Sequence, residues 1–156
     1  MEAIQTPTPT TEQPADDGLE YGLMSEDETM FVLDTISKSF RSSPYAGVVP
    51  NHMWHPLMKA TLAGLLERGA KVLVARSAGR VVGYVMYETK AGEPFVSFVY
   101  VKDHARRLGV GKALLTRAGV VKGKRWFYTF RTKASVYLTR GHIAVHAPEA
   151  ARRLAL

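Results

Sequence analysis

The apolar run Phe95 to Val101 is followed, four residues later, by Arg106-Arg107-Leu108-Gly109-Val110-Gly111, which leads without a break into Lys112-Ala113-Leu114-Leu115. This order reads as strand, glycine-containing turn, helix. Two glycines at i and i+2 let a backbone approach a ligand without Cβ obstruction. The helix that follows aims its first unpaired N–H groups, and the positive end of its dipole, at the same point. Arg106 and Lys112 add fixed positive charge there. Such a turn suits a pyrophosphate.

Strand-turn-helix phosphate sites serve several ligand classes, which differ in spacing. A Walker loop needs G-x-x-x-x-G-K followed by Ser or Thr, and a dinucleotide fingerprint needs G-x-G-x-x-G. Gly109-Val110-Gly111-Lys112-Ala113-Leu114 lacks the third glycine of the second and everything that defines the first. What the segment resembles is the acyl-CoA signature of the GNAT N-acetyltransferase superfamily: glutamine or arginine, two residues, glycine, one residue, then glycine or alanine. Arg106, Gly109 and Gly111 stand at the three defining positions, and Val99-Tyr100-Val101 looks like that family's fourth strand. The resemblance implies acetyl-CoA as acyl donor. Its pantetheine arm would lie on backbone groups of Val99, Tyr100 and Val101, and its pyrophosphate on Arg106, Arg107, Leu108, Gly109, Val110, Gly111 and Lys112. It also implies direct transfer to a primary amine, on a small molecule or on a protein lysine or N-terminus. The other reading of the hexapeptide is a plain glycine turn.

The rest of the chain alternates periodicities as a layered α/β (α+β) fold does. Leu19 to Leu23 suits a first strand. Ser25 and Glu28 form a capping box before Met30, Phe31, Leu33, Ile36 and Phe40, whose spacing predicts a helix ending near Ser42-Ser43-Pro44. Pro56 suits the first turn of a second helix, with Leu57, Leu62, Leu65 and Leu66 apolar and Gly69 as its stop. Lys71 to Arg76, a turn at Ser77-Ala78-Gly79 and Val81 to Tyr87 predict a hairpin. Gly92-Glu93-Pro94 reads as a further turn, Phe95 to Lys102 as a strand, residues 109 to about 120 as a helix and Lys124 to Arg131 as a strand. In that last strand Trp126, Tyr128 and Phe130 alternate with Phe127, Thr129 and Arg131, which fits a sheet covered on both faces. The order β-α-α-β-β-β-α-β-α is the GNAT order, so the resemblance covers roughly residues 19 to 146. It implies a mixed, mainly antiparallel central sheet flanked by helices.

Ala134-Ser135-Val136-Tyr137-Leu138-Thr139-Arg140-Gly141-His142 resembles the family's fourth helix. The resemblance makes Tyr137 the candidate general acid for the departing thiolate; otherwise it is a helix residue packed on the sheet. After Gly141 only His142 to His146, Pro148 and a basic tail remain, so the C-terminal sheet is expected to be shortened, as in acetyltransferase-like proteins of phages and prophages. A homodimer partner or another protein would then complete the acceptor wall. The general base stays open. The strand Phe95 to Val101 has no carboxylate, which leaves Glu88 and Glu93 nearby, and His52 and His55 in the segment where the family places an acceptor-binding loop. An imidazole titrates near neutral pH and can accept an ammonium proton.

Composition narrows the alternatives. The 156 residues suffice for one domain, and the absence of cysteine excludes disulfides, thiolate metal sites and a cysteine nucleophile. Two histidines three apart with no thiolate or nearby carboxylate do not suggest a metal. No apolar run is long enough for a membrane span, and the acidic, proline-bearing N-terminus is unlike a secretory signal, so a cytoplasmic protein is expected. Residues 1–18 are expected to form a disordered acidic Thr/Pro tail ahead of a domain over 19–156. Residues 1–37 hold nine acids and no Lys or Arg, whereas residues 38–156 hold 21 basic and five acidic residues. So basic a body attracts CoA, but equally nucleic acid or an acidic protein. A non-catalytic CoA-binding module, or a nucleic-acid or protein-binding module, is the alternative function.

Overall fold

The computed structural model describes residues 18–39, 47–129 and 133–147. The elements are β1 (Leu19–Leu23), α1 (Thr29–Ser39), α2 (Asn51–Glu67), β2 (Lys71–Ser77), β3 (Arg80–Lys90), β4 (Glu93–Val101), α3 (Val110–Arg117), β5 (Arg125–Tyr128), α4 (Lys133–Leu138) and β6 (Ile143–His146), with single 3-10 turns at Glu26–Glu28 and Asp103–Ala105. The strands form one sheet in the order β1-β2-β3-β4-β5-β6. The first four run antiparallel, and β5 and β6 run parallel to β4. This is the mixed, mainly antiparallel α/β sheet expected from the sequence, with β6 as its short last strand.

Local chemistry accounts for most element boundaries. The capping box is formed: Ser25 N–H donates to Glu28 Oε2 at 2.9 Å. The two hairpins turn on Ala78-Gly79 and Ala91-Gly92, all four residues at positive φ, as two-residue turns of the right-handed twist require. The second turn is thus one residue earlier than expected, and Glu93 and Pro94 open β4 against Lys90 and Thr89. Pro56 is not in the first turn of α2. The helix starts at Asn51, with Met53 and Trp54 donating to Pro50 O, and Pro56 sits inside it. The proline removes the donor for the carbonyl of exposed His52, where water can replace it. Gly69, at φ 99°, ends the helix as expected. The tail before Gly18, the helix end near Ser42-Ser43-Pro44, Phe130 and Arg131 of the fifth strand, and Pro148 onward lie outside the described residues.

Each face of the sheet has its own core. On one, Val32 and Ile36 of α1 and Met58, Leu62 and Leu65 of α2 cover Val72, Val74, Tyr84, Met86 and Phe98. On the other, Val110, Leu114 and Leu115 of α3 cover Val82, Val85, Val96 and Trp126. Tyr84 Oη lies 2.8 Å from Thr35 Oγ1, and burial pushes its phenol well above the ordinary range. Its ring stacks on Tyr100 at 5.4 Å, which binds α1 to the middle of the sheet. The expected alternation along β5 holds: Trp126 and Tyr128 join the α3 core, while Phe127 stacks on Phe95 at 4.4 Å.

Candidate active site

β4 and β5 part company. Their ladder consists of Phe95↔Phe127 and Val96↔Tyr128, closed by Thr129 N–H donating to Val96 O at 3.1 Å, whereas β4 continues to Val101. On the other side β4 stays paired with β3 through Val101↔Gly83, and Lys102 N–H donates to Val82 O. Backbone polar groups alternate along a strand, so those of Tyr100 and Lys102 face β3, and those of Val99 and Val101 face the wedge. The wedge therefore has a polar backbone edge along one side.

The loop at the open end of the wedge is built by backbone constraint. Arg107 and Gly109 both have positive φ, at 66° and 80°. Gly109 is the N-cap of α3 and has no side chain with which to cap it. Ala113 N–H donates to Gly109 O, which leaves the N–H groups of Val110, Gly111 and Lys112 without intrahelical acceptors at the positive end of the helix dipole. Lys112, Arg107 and Leu108 are exposed around them. Arg106 faces inward along the chain: its Nε donates to Val101 O at 2.9 Å, and its Nη1 pairs with Asp103. The side chain thus pins the loop to the end of β4.

Gly111 contributes through packing. A Cβ there would lie 3.6 Å from Leu138 Cδ2 and 3.6 Å from Val101 Cγ2. Helix α4 therefore rests on the first turn of α3 through Leu138, and the adjacent Tyr137 is 68% exposed, with the Arg140 guanidinium 5.2 Å from its ring. Sequence reasoning passed over Gly83, whose Cβ would meet Tyr100 O at 2.9 Å and Val110 Cγ1 at 3.3 Å. An isolated glycine inside Val81 to Val85 was the available signal for such a close approach.

The other candidates are placed as follows. Glu88 is buried near the far end of β3 and accepts two 2.8 Å hydrogen bonds from Arg68, just past the end of α2, with Lys90 Nζ at 3.9 Å. Glu93 is paired with Arg125. His52 and His55 occupy the first turns of α2, exposed and half-buried. Arg68 ties the C-terminal end of α2 to Glu88 of β3, and the two histidines stand at the other end of that helix. Ser97, Thr129 and His146 were not singled out in the sequence. The two hydroxyls and the His146 Nε2 are buried without hydrogen-bond partners among the described residues, and the His146 ring sits 5.2 Å from that of Tyr128. Among the described residues no His, Asp and Glu cluster could hold a metal ion, and no helix is long and apolar enough to cross a membrane.

The acetyltransferase (GNAT) domain model matches residues 68–148, which span β2 to β6 and hence both sides of the wedge and its loop. The chain belongs to the GNAT acetyltransferase family. Solved GNAT structures share the fold. A PaiA N-acetyltransferase from Thermoplasma acidophilum, in complex with coenzyme A, superposes with a TM-score of 0.51 at 17% identity, over 65% of this chain and 69% of that one. The structure described as histone acetyltransferase HPA2 and related acetyltransferase from Corynebacterium glutamicum does so with a TM-score of 0.52 at 18% identity, over 64% and 69%. No curated protein matches the chain in sequence.

Proposed function

We propose that this GNAT protein binds acetyl-CoA and moves its acetyl group to a primary amine. The observation that carries the reading is the uncapped N-terminus of α3 standing at the mouth of a wedge whose β4 edge is polar backbone. The parts suit the donor. Three N–H groups and Lys112 meet the pyrophosphate, Val99 and Val101 offer backbone groups to the amides of the pantetheine arm, and Arg106 keeps the loop in register with β4. Coenzyme A in the Thermoplasma acidophilum relative supports the choice of cofactor.

Bound acetyl-CoA supplies a thioester whose carbonyl carbon a neutral amine attacks, the C–S bond breaking as the C–N bond forms. In this reading Tyr137, exposed on α4, donates its phenolic proton to the leaving sulfur. His52 and His55, in the first turns of α2, are the candidates to take up the proton that the nitrogen loses. Glu88, held by Arg68, is the remaining candidate base, and its ion pair also secures α2 to the sheet. The acceptor is a small amine, or a lysine or N-terminus of a protein, with a second copy of the chain or a partner completing its wall.

Calorimetry with acetyl-CoA tests the cofactor. The parent should bind, and Lys112→Glu, an exposed change, should weaken binding about tenfold without altering the melting temperature. A folded parent that binds no acetyl-CoA would instead favour the basic binding-module reading. Mass spectrometry on mixed small amines and peptides then identifies the acceptor.

A further inference from the structure

Lys102, Phe31 and Tyr100 form a cluster that the transfer reading leaves unused. Phe98 and Tyr100 join the core under α1 and α2, whereas Val99 and Val101 join the core under α3. Alternation along β4 therefore puts the Tyr100 ring, and Lys102 just past the strand, on the face opposite α3. There Tyr100 stacks on buried Tyr84 at 5.4 Å, and Phe31 of α1 meets it edge-on at 6.2 Å. The Lys102 ammonium lies 4.9 Å from the centre of the Phe31 ring. Phe31, Tyr100 and Lys102 are all half-buried. Two other half-buried cations, Arg68 and Arg76, each hold a carboxylate through two nitrogens. Lys102 has no carboxylate partner among the described residues. Its neighbour Asp103 is taken by Arg106, Glu93 is taken by Arg125, and Glu67 stands at the far end of α2. Glu26 and Asp27, in the turn before α1, are exposed to water. An ammonium partly withdrawn from water with only a ring beside it is ready for an anion.

This inference rests on the acetyl-CoA reading. The α3 face of the wedge is filled by α3 and by Leu138 of α4, so an amine meets a donor held along Val99 and Val101 from the other face, past Tyr100. We propose that the acceptor is a small amine on a flat apolar or aromatic body that carries a carboxylate or phosphate at its far end. The body lies against the Phe31 and Tyr100 rings, and the anion pairs with the Lys102 ammonium. Lys102 stands three residues past Val99, about 10 Å of strand, a span that suits an amine and an anion at opposite ends of one ring. A second ammonium at that far end would instead meet Lys102 and be repelled. The charge of the body acts in the same direction, since residues 38–156 hold 21 basic and five acidic side chains. Lys102 touches neither the thioester nor the attacking nitrogen and serves as a specificity residue.

The test gives the full chain acetyl-CoA and three amines of one shape: para-(aminomethyl)benzoate, para-(aminomethyl)benzamide and para-xylylenediamine, whose far groups are anionic, neutral and cationic. Each turnover forms a C–N bond, breaks the C–S bond and frees one CoA thiol, and a chain without cysteine adds no thiol of its own to a colorimetric reading. The benzoate should show a kcat/KM about tenfold above that of the benzamide, the effect of one charge-assisted contact, with the diamine lowest. Lys102→Met, which keeps a stem over Phe31, should bring benzoate and benzamide level, and Lys102→Glu should make the diamine the best of the three. A parent that favours the diamine or treats the three alike overturns the proposal, and so does a folded Lys102→Met variant that keeps the benzoate preference. Thiol release with none of the three overturns it as well. Calorimetry then separates the causes: a parent that binds acetyl-CoA leaves the cofactor reading standing, and one that does not removes both. Because the parent comparison uses no variant, a variant that fails to fold does not remove the test.

Discussion

At the scale of single residues, Glu28 and Gly83 do the most for their size. Arg76 donates from Nε and Nη2 to the two carboxylate oxygens of Glu28, at 2.6 and 2.8 Å, and from Nη2 to Leu23 O at 3.0 Å, so one guanidinium joins β1, β2 and the start of α1. The Arg76 hydrogen bonds hold the Glu28 carboxyl at about 2 instead of the ordinary 4.5. A carboxyl depressed in the folded state stabilises it above the unfolded value, and that contribution disappears as pH falls from 4.5 toward 2. Glu28→Gln should therefore cost about 2 kcal/mol at pH 7 in urea unfolding, after allowance for solvent screening, and should flatten the loss of stability across that acid window. Identical pH profiles for parent and variant would show the pair to be without effect. Gly83 acts by absence of a side chain. Gly83→Ala brings a Cβ to 2.9 Å from Tyr100 O and should cost about 1–3 kcal/mol, while lifting α3 off the sheet enough to weaken acetyl-CoA binding. A variant with parental stability and affinity would show that α3 has room to shift.

At the scale of elements, the strands and helices were largely legible because their apolar periods are unmixed: Val32 and Ile36, or Leu62 and Leu65, can form only one helical face. Boundaries were misread where backbone chemistry decides. Ala91, a residue without turn preference, takes positive φ because Gly92 follows it, and Pro56 was read as a helix start because its sequence position permits that as readily as a helix interior. The loop after β4 was legible as a phosphate turn. That Arg106 braces it was not, since the contact with Val101 O depends on a 3-10 turn at Asp103–Ala105 that folds the chain back. The bulge at Ser97, where Met86 pairs with Phe98 and Tyr87 with Val96, was hidden for a similar reason, because a serine within an apolar strand does not announce one. Bracing has a measurable consequence. Arg106→Ala should reduce acetyl-CoA affinity about tenfold while changing global stability by less than about 1 kcal/mol, because an exposed arginine contributes little to the core. Hydrogen exchange should show the amides of residues 106–111 opening faster in the variant. Unchanged exchange together with weakened binding would instead assign Arg106 to direct phosphate contact.

At the scale of the whole molecule, the distribution of charge bears on how a ligand arrives. Residues 38–156 carry 21 basic and only five acidic side chains, and the proposed donor is a polyanion, so the field of the body should accelerate its capture. Residues 1–37 oppose that field with nine acids and no Lys or Arg. Two of those acids are held in place, Glu28 by Arg76 and Asp34 by Lys38, so their charge is already partly compensated locally. Glu2, Glu12, Asp16 and Asp17 precede β1, and deleting residues 1–17 removes these four acids and no basic residue, raising the formal net charge from +7 to +11. If long-range attraction matters, the deletion should raise the association rate for acetyl-CoA at about 20 mM salt, and the difference should vanish near 0.5 M, where the Debye length is well under 10 Å. Dissociation should change little, because the contacts at the α3 terminus are unaltered. Stopped-flow measurements at the two salt concentrations separate these terms. Equal association rates at low salt would show that the field at the loop is set locally, by Arg107 and Lys112, and that the charge asymmetry of the chain plays no part in binding its donor.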